Sequence, residues 1–307
     1  MAVILALRAL GIGDLLTALP ALRALRRARP DDRLVLAAPD ALRPLLRYAD
    51  CVDALHPTDD LDTFEWPGPP PEFAVNLHGS GPESIAALRT ARPRVLLSHA
   101  HPDFPELAGP HWDPALHEVD RWCLLLEHAG IPADPARLEL AVPTPLPRPP
   151  YVIVHPGAAA PARRWPLDRF AGVAAAARDL GYRVLVTGSE RERPLTDAVV
   201  EQAGLPAAAS AGGEHTLDDL VHLVAGARLL VSGDTGIGHL ATAVGTRSVL
   251  LFGPVSPAQW GPRAPRHRAL WAGRHGDPRA PTPDPGLLAI GAGQVIDVVA
   301  EQLSADP

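Results

Sequence analysis

Three short segments hold the side chains best suited to chemistry, and each directly follows a short apolar run. The first is Arg8-Ala9-Leu10-Gly11-Ile12-Gly13-Asp14, where glycines permit a tight turn and Asp14 opens a helix pattern. Asp14 reads either as a capping carboxylate or as a general base at the mouth of a binding site. A dinucleotide fingerprint would place a third glycine at position 16, where the chain has Leu16, so a nicotinamide site is disfavoured. The second segment runs from His155 and Gly157 through small residues to Arg163, Arg164, Trp165 and Pro166. Small residues let a backbone approach closely, and guanidinium forks grip phosphate; the other reading is a solvated arginine pair beside a Trp-Pro helix start. The third is Ser232-Gly233-Asp234-Thr235-Gly236-Ile237-Gly238-His239, a strand end leading into a helix. Free amides at Thr235 and Gly236 would cradle an anion, with His239 one turn along the same face. Alternatively Asp234 and Thr235 only cap the helix and His239 is a core histidine.

These segments must be positioned by the elements before and after them. Apolar runs at 2–7, 33–38, 73–77 and 95–97 alternate with helix patterns ending near Ala28 and Tyr48. That order predicts a parallel sheet covered on both faces. A longer helix is expected over residues 114–128, with Leu116, Val119, Trp122, Leu125, Leu126 and Ala129 as its apolar stripe; His117, Asp120 and Arg121 read as its polar face or, alternatively, as lining of an acceptor pocket. Pro20 inside the first helix pattern predicts a kink or a late helix start. The stretch 143–150, PTPLPRPP, predicts an extended connector between an N-terminal domain, 1–145, and a C-terminal domain, 146–307. Beyond it the alternation restarts, with strands at 151–155, 183–187, 229–232 and 248–252 and helices from about Leu167, Arg191, Leu217 and Gly236. Residues 263–285, rich in proline and arginine, read as an irregular surface segment before a last helix over 294–303, which is a candidate to pack back on the N-terminal lobe. The fold class is α/β, two Rossmann-like parallel-sheet lobes facing across a cleft.

Composition narrows the chemistry. Lysine is absent, so all 28 basic side chains are arginines, and Schiff-base or phosphate-loop lysine mechanisms are excluded. A formal charge of −7 opposes nucleic-acid binding. Cys51 and Cys123 have no paired spacing, which fits a reducing cytoplasm and encodes neither a disulfide framework nor a zinc cluster. His99, His101, Asp103, His111 and Asp113 lie in a proline-rich loop without metal-ligand spacing, so no metal site is assigned. No apolar run reaches the about 18 residues of a membrane span, and no amphipathic membrane helix stands out, so at most peripheral membrane contact is expected. Beyond Arg8, Arg89, Arg92 and Arg94 the N-terminal lobe is expected to offer few basic residues for gripping a lipid phosphate.

GxGD at 11–14, HPGA followed by RRWP at 155–166, and DTGxxHLA at 234–241, followed by Phe252-Gly253-Pro254 and Trp260-Gly261-Pro262, together resemble glycosyltransferase family 9, the ADP-heptose heptosyltransferases. The resemblance runs along nearly the whole chain and implies the GT-B fold. It implies metal-independent, inverting transfer from a nucleoside-diphosphate sugar with no further cofactor, the donor held mainly by the C-terminal lobe and the acceptor by the N-terminal lobe. On this reading Asp14 is the base and Gly13 contacts the donor. Arg163 stands where the family usually has a donor-phosphate lysine. His155, Gly157, Arg164, Asp234, Thr235, Gly236 and His239 contact the donor, and Glu190 lies near the ribose. The acceptor is lipopolysaccharide-core-like, lipid-linked or a small molecule. A non-catalytic nucleotide-sugar-binding protein and a GT-B-like sugar-nucleotide epimerase are the alternatives.

Overall fold

The computed structural model describes residues 1–143 and 149–305. The chain divides into two compact units, Met1–Ala141 and Val142–Pro307. Most of the proline-rich connector, residues 144–148, lies outside the described residues, as does the expected domain boundary at 145/146.

The first unit contains β1 (Val3–Leu7), α1 (Ile12–Ala28), β2 (Arg33–Ala38), α2 (Arg43–Ala49), β3 (Ala54–Pro57), β4 (Phe73–Asn76), α3 (Glu83–Thr90), β5 (Val95–Leu97) and α4 (Glu118–His128). Its sheet is parallel in the order β3-β2-β1-β4-β5. β1 is apolar along its length because helices cover both sheet faces, and Ile4, Leu5, Ala6 and Leu7 are all buried. The chain moves from β1 to β3 in one direction and then returns to the other side of β1 at β4. Strand order therefore reverses between β1 and β4.

Two helix boundaries differ from the sequence expectation. α1 starts at Ile12 and continues through Pro20, so the late start does not occur. The proline removes one backbone bond, but the buried row Leu15, Leu16, Leu19, Leu22 and Leu25 holds the helix against the sheet. α4 begins at Glu118 rather than Pro114 because Asp113 Oδ1 captures the Ala115 amide at 2.8 Å in a turn, and His117 caps the helix through Nδ1, accepting from Val119 N at 3.2 Å.

The second unit contains β6 (Tyr151–His155), α5 (Leu167–Asp179), β7 (Arg183–Gly188), α6 (Arg193–Gln202), β8 (Ser210–Gly212), α7 (Leu217–Ala225), β9 (Leu229–Gly233), α8 (Gly236–Val244), β10 (Ser248–Phe252), α9 (Pro257–Trp260), β11 (His267–Trp271), α10 (Pro285–Ala289) and α11 (Ala292–Ser304). Its parallel sheet runs β11-β10-β9-β6-β7-β8, with the reversal between β6 and β9. α11 sends Val295, Val299 and Leu303 into this unit's own core, together with Trp165 and Phe170. The stretch expected to be irregular contains edge strand β11, paired in register from Ser248 with His267 to Phe252 with Trp271. Its sequence, HRALW, shows no apolar run because an edge strand leaves Arg268 and Ala269 exposed. No helix among the described residues is long and apolar enough to cross a membrane.

His267 is 7% exposed and hydrogen-bonded through Nδ1 to Ser248 Oγ at 2.9 Å. Burial, aided by Arg266, pushes its pKa down to about 4. An unfolded histidine titrates near pH 6.5, so the unfolded chain binds more protons between those values. The stabilisation is present above pH 6.5 and is lost as pH falls through 4, up to about 3 kcal/mol. Denaturant unfolding at pH 7 and pH 4.5 should show a larger loss for the natural protein than for His267→Asn; equal losses would contradict this assignment.

Candidate active site

In the first unit the site is organised by Arg8, whose side chain is 1% exposed at the end of β1. Its Nε donates to Asp14 O at 3.0 Å and its Nη1 to Leu77 O. Its Nη2 is shared by Glu118 Oε1 at 2.8 Å, Asp14 Oδ1 at 3.3 Å and Thr17 Oγ1 at 3.4 Å. Glu118 also accepts from Trp122 Nε1 at 3.0 Å and pairs with Arg121. Arg8 lies over the Trp122 ring at 4.7 Å, and Arg121 over Trp112 at 4.2 Å. Two guanidiniums and two carboxylates thus alternate in sign from Asp14 inward, the arrangement that buried charges require. Arg121 belongs to this buried network, which corrects its placement on a polar helix face. Arg8 is likewise withdrawn from any role in gripping a lipid phosphate.

Asp14 is not the residue that caps α1. Gly11 occupies that position, and its amide donates to Asp14 Oδ2 at 3.2 Å from one turn back. The carboxylate is thereby oriented while its side chain stays 28% exposed. Gly13 is buried in the first turn of α1.

In the second unit the segment after β6 lies against the end of β9. A Cβ on Gly233 would come 3.0 Å from Arg163 O, so the glycine lets the two backbones approach. Arg163 Nη1 stands 3.7 Å from Asp234 Oδ2. Arg163 Nε and Thr235 Oγ1 are buried without a hydrogen-bond partner among the described residues. Thr235 precedes α8, whose first-turn amides have no intrahelical carbonyl to bond. A helix start and guanidiniums at one strand end form a site for an anion. Arg164 Nε is tied to Ala158 O at 3.1 Å, and His239 meets Trp260 edge to face at 5.8 Å.

His155 is hydrogen-bonded through Nδ1 to Thr187 Oγ1 at 3.0 Å, and burial holds its pKa below the usual value against the opposing effect of Glu192. Glu192 is the residue that sequence reasoning missed. A Cβ on Gly157 would fall 2.2 Å from Glu192 Oε1, so this carboxylate lies directly on the glycine loop. Burial alone would raise its pKa, but the Ser189 amide and hydroxyl, at 2.9 and 2.8 Å, with the charges of His155 and Arg164, hold it below the usual carboxylate range. Glu190, the sequence candidate, instead pairs with Arg193 at 2.9 Å on an exposed surface. Its neighbour two positions on carries no distinguishing sequence signal beyond charge.

The histidines and aspartates of residues 99–113 do not converge. His99 is buried, hydrogen-bonded to Pro110 O at 3.1 Å and packed edge-on against Trp112 and Trp122. Among the described residues no group of three or more His, Cys, Asp or Glu could hold a metal ion.

Comparison with known proteins identifies the family and the fold. Residues 111–284 match the model of glycosyltransferase family 9 (heptosyltransferase), and the chain belongs to that family. Lipopolysaccharide heptosyltransferase 2 of Escherichia coli is 33% identical over 112 residues, a stretch covering 35% of this chain and 32% of that protein. The chain thus aligns in sequence with about a third of the length of its curated relatives. Solved structures match throughout. A family 9 glycosyl transferase from Veillonella parvula superposes with TM-score 0.82 at 22% identity, covering 98% of this chain and 97% of that one. E. coli ADP-heptose lps heptosyltransferase II gives 0.77 at 21%, covering 98% of both. The fold is GT-B, as the motifs implied.

The Arg8 network generates a direct test. Removing the shared carboxylate leaves two buried guanidiniums without their partner, which costs about 3–5 kcal/mol. Glu118→Ala should lower the unfolding free energy by that amount in denaturant titration, and Glu118→Gln by less. A loss under about 1 kcal/mol, the value of a surface pair, would show that the network is not buried as described.

Proposed function

We propose that this chain is a glycosyltransferase that moves heptose from ADP-heptose onto an acceptor hydroxyl, without a metal ion and with inversion. The observation that carries this reading is that Arg163 Nε and Thr235 Oγ1, after β6 and β9 and beside the start of α8, are buried without a hydrogen-bond partner among the described residues. Buried polar groups are normally satisfied, and both are donors of the kind that bond phosphate oxygens. The ADP-heptose named for the E. coli structural neighbour supports the choice of donor.

The acceptor hydroxyl gives its proton to Asp14 as its oxygen forms a bond to the anomeric carbon. The bond from that carbon to the diphosphate oxygen breaks on the opposite face, and ADP departs with the electron pair. The growing charge on the diphosphate is met by Arg163, Arg164 and the amides of Thr235 and Gly236, donors already in place before reaction. Glu192, close to Gly157, is placed to accept from donor hydroxyls, while Asp234 holds Arg163 in position. Arginine in place of lysine keeps the charge and adds a two-pronged donor. The acceptor class is a lipopolysaccharide-core sugar, on the likeness to lipopolysaccharide heptosyltransferases, or a smaller hydroxylated molecule. Two buried free cysteines are in keeping with a cytoplasmic site of action.

Asp14→Asn should lower kcat by about 10²- to 10⁴-fold, the usual cost of losing a general base, with ADP affinity retained in calorimetry. Turnover close to normal would refute the base assignment. Arg163→Ala should weaken ADP binding about tenfold or more, as loss of a charge-assisted bond does, and slow transfer as well. An unchanged ADP affinity would remove Arg163 from the donor site.

A further inference from the structure

Ligands of open parallel sheets bind beyond the carboxyl ends of the two strands where strand order reverses. In the second unit those strands are β6 and β9, which carry the anion site. In the first unit they are β1 and β4, and β4 leads into Leu77, His78 and Gly79. His78 has no part in the mechanism above, yet it is tied to the same anchor as Asp14. Leu77 N donates to Leu7 O at 3.1 Å, and Leu77 O accepts from Arg8 Nη1, the guanidinium that also holds Asp14.

The backbone at His78 is fixed from below. Asn76, fully buried, accepts from His78 N at 3.1 Å and donates to Gly79 O at 3.2 Å and to Ser84 Oγ and Ser98 Oγ, both at 3.0 Å. Above it the loop is open, since a Cβ on Gly79 would meet nothing within 4 Å. The imidazole is half-buried, and its Nδ1 is buried without a hydrogen-bond partner among the described residues. Burial, and next the charge of Arg8, hold its pKa below the usual value against the pull of Asp14. A neutral imidazole has one donor and one acceptor nitrogen, the complement of a hydroxyl, which also does both.

Charge narrows the ligand further. The contacts of Arg8 are internal, and Arg89, Arg92 and Arg94 lie at the end of α3 and before β5, away from the carboxyl ends of the strands. What this strand end offers is a carboxylate and a neutral ring, which suits an uncharged polyol and disfavours a phosphate.

We propose that His78 contacts the acceptor, its imidazole hydrogen-bonding a sugar hydroxyl adjacent to the one that Asp14 deprotonates. This rests on the reading of Asp14 as the base. The test uses the full chain and a deacylated lipopolysaccharide core oligosaccharide as probe. Ring nitrogen signals of His78, assigned by their loss in His78→Ala, are followed by NMR, and ADP and oligosaccharide affinities by calorimetry. The oligosaccharide should move the His78 signals. His78→Ala should weaken its binding about tenfold at unchanged ADP affinity, and His78→Gln should restore most of that loss. Signals that stay put, or an alanine variant that binds the probe like the natural protein, overturn the proposal. Asp14→Asn separates the two readings. Normal turnover in that variant with His78 signals still moving removes the base assignment alone, whereas its loss of turnover with unmoved signals removes His78 alone.

Discussion

Neutralisation of a departing diphosphate, the role proposed for the strand ends of the second unit, sets the demand that those strand ends have to meet. A chain without lysine has to meet that charge with guanidinium groups and backbone amides, and a parallel sheet supplies both at one place. β9 ends in Gly233, whose missing side chain lets the Arg163 backbone cross it, and α8 starts immediately afterwards. The small residues of this region are therefore consequences of an electrostatic requirement. Gly157 makes room for the Glu192 carboxylate in the same way.

The first unit keeps one carboxylate, Asp14, partly exposed while burying the charge that orients it. Arg8 is expensive to bury, and the structure meets that cost with Glu118, Thr17 and two backbone carbonyls. Because Glu118 lies at the start of α4, the helix is coupled to the loop that carries Asp14. Aromatic faces of Trp112 and Trp122 cover the two guanidiniums, while Asp14 stays partly exposed and His78 half-buried.

Much of this was legible in the sequence where local pattern decides structure. The strands at 95–97, 151–155 and 248–252 and the starts of α5, α7 and α8 follow from apolar runs bounded by glycine, proline or capping residues. The three segments after strands were legible for the same reason, since a strand followed by a glycine-rich helix start is a local signal. β8 and β11 were not, because Ser-Ala-Gly and a half-exposed edge strand carry no apolar run. Side-chain partnerships were the least accessible. Arg8 and Glu118 are 110 positions apart, and nothing in either neighbourhood announces the other. Glu192 and Glu190 differ only in which of them the turn at Ser189 directs toward the glycine loop, a matter of helix phase that composition does not encode.

The proposed mechanism requires that protein groups alone carry the diphosphate charge. The direct measurement is ADP binding by calorimetry, together with the rate of transfer from ADP-heptose, on the same preparation with excess EDTA and then with added Mg²⁺ or Mn²⁺. If Arg163, Arg164 and the α8 amides do the neutralising, both quantities are the same in chelator and in metal. A loss in EDTA that the divalent cation restores would contradict that claim and place a metal ion where we place arginine.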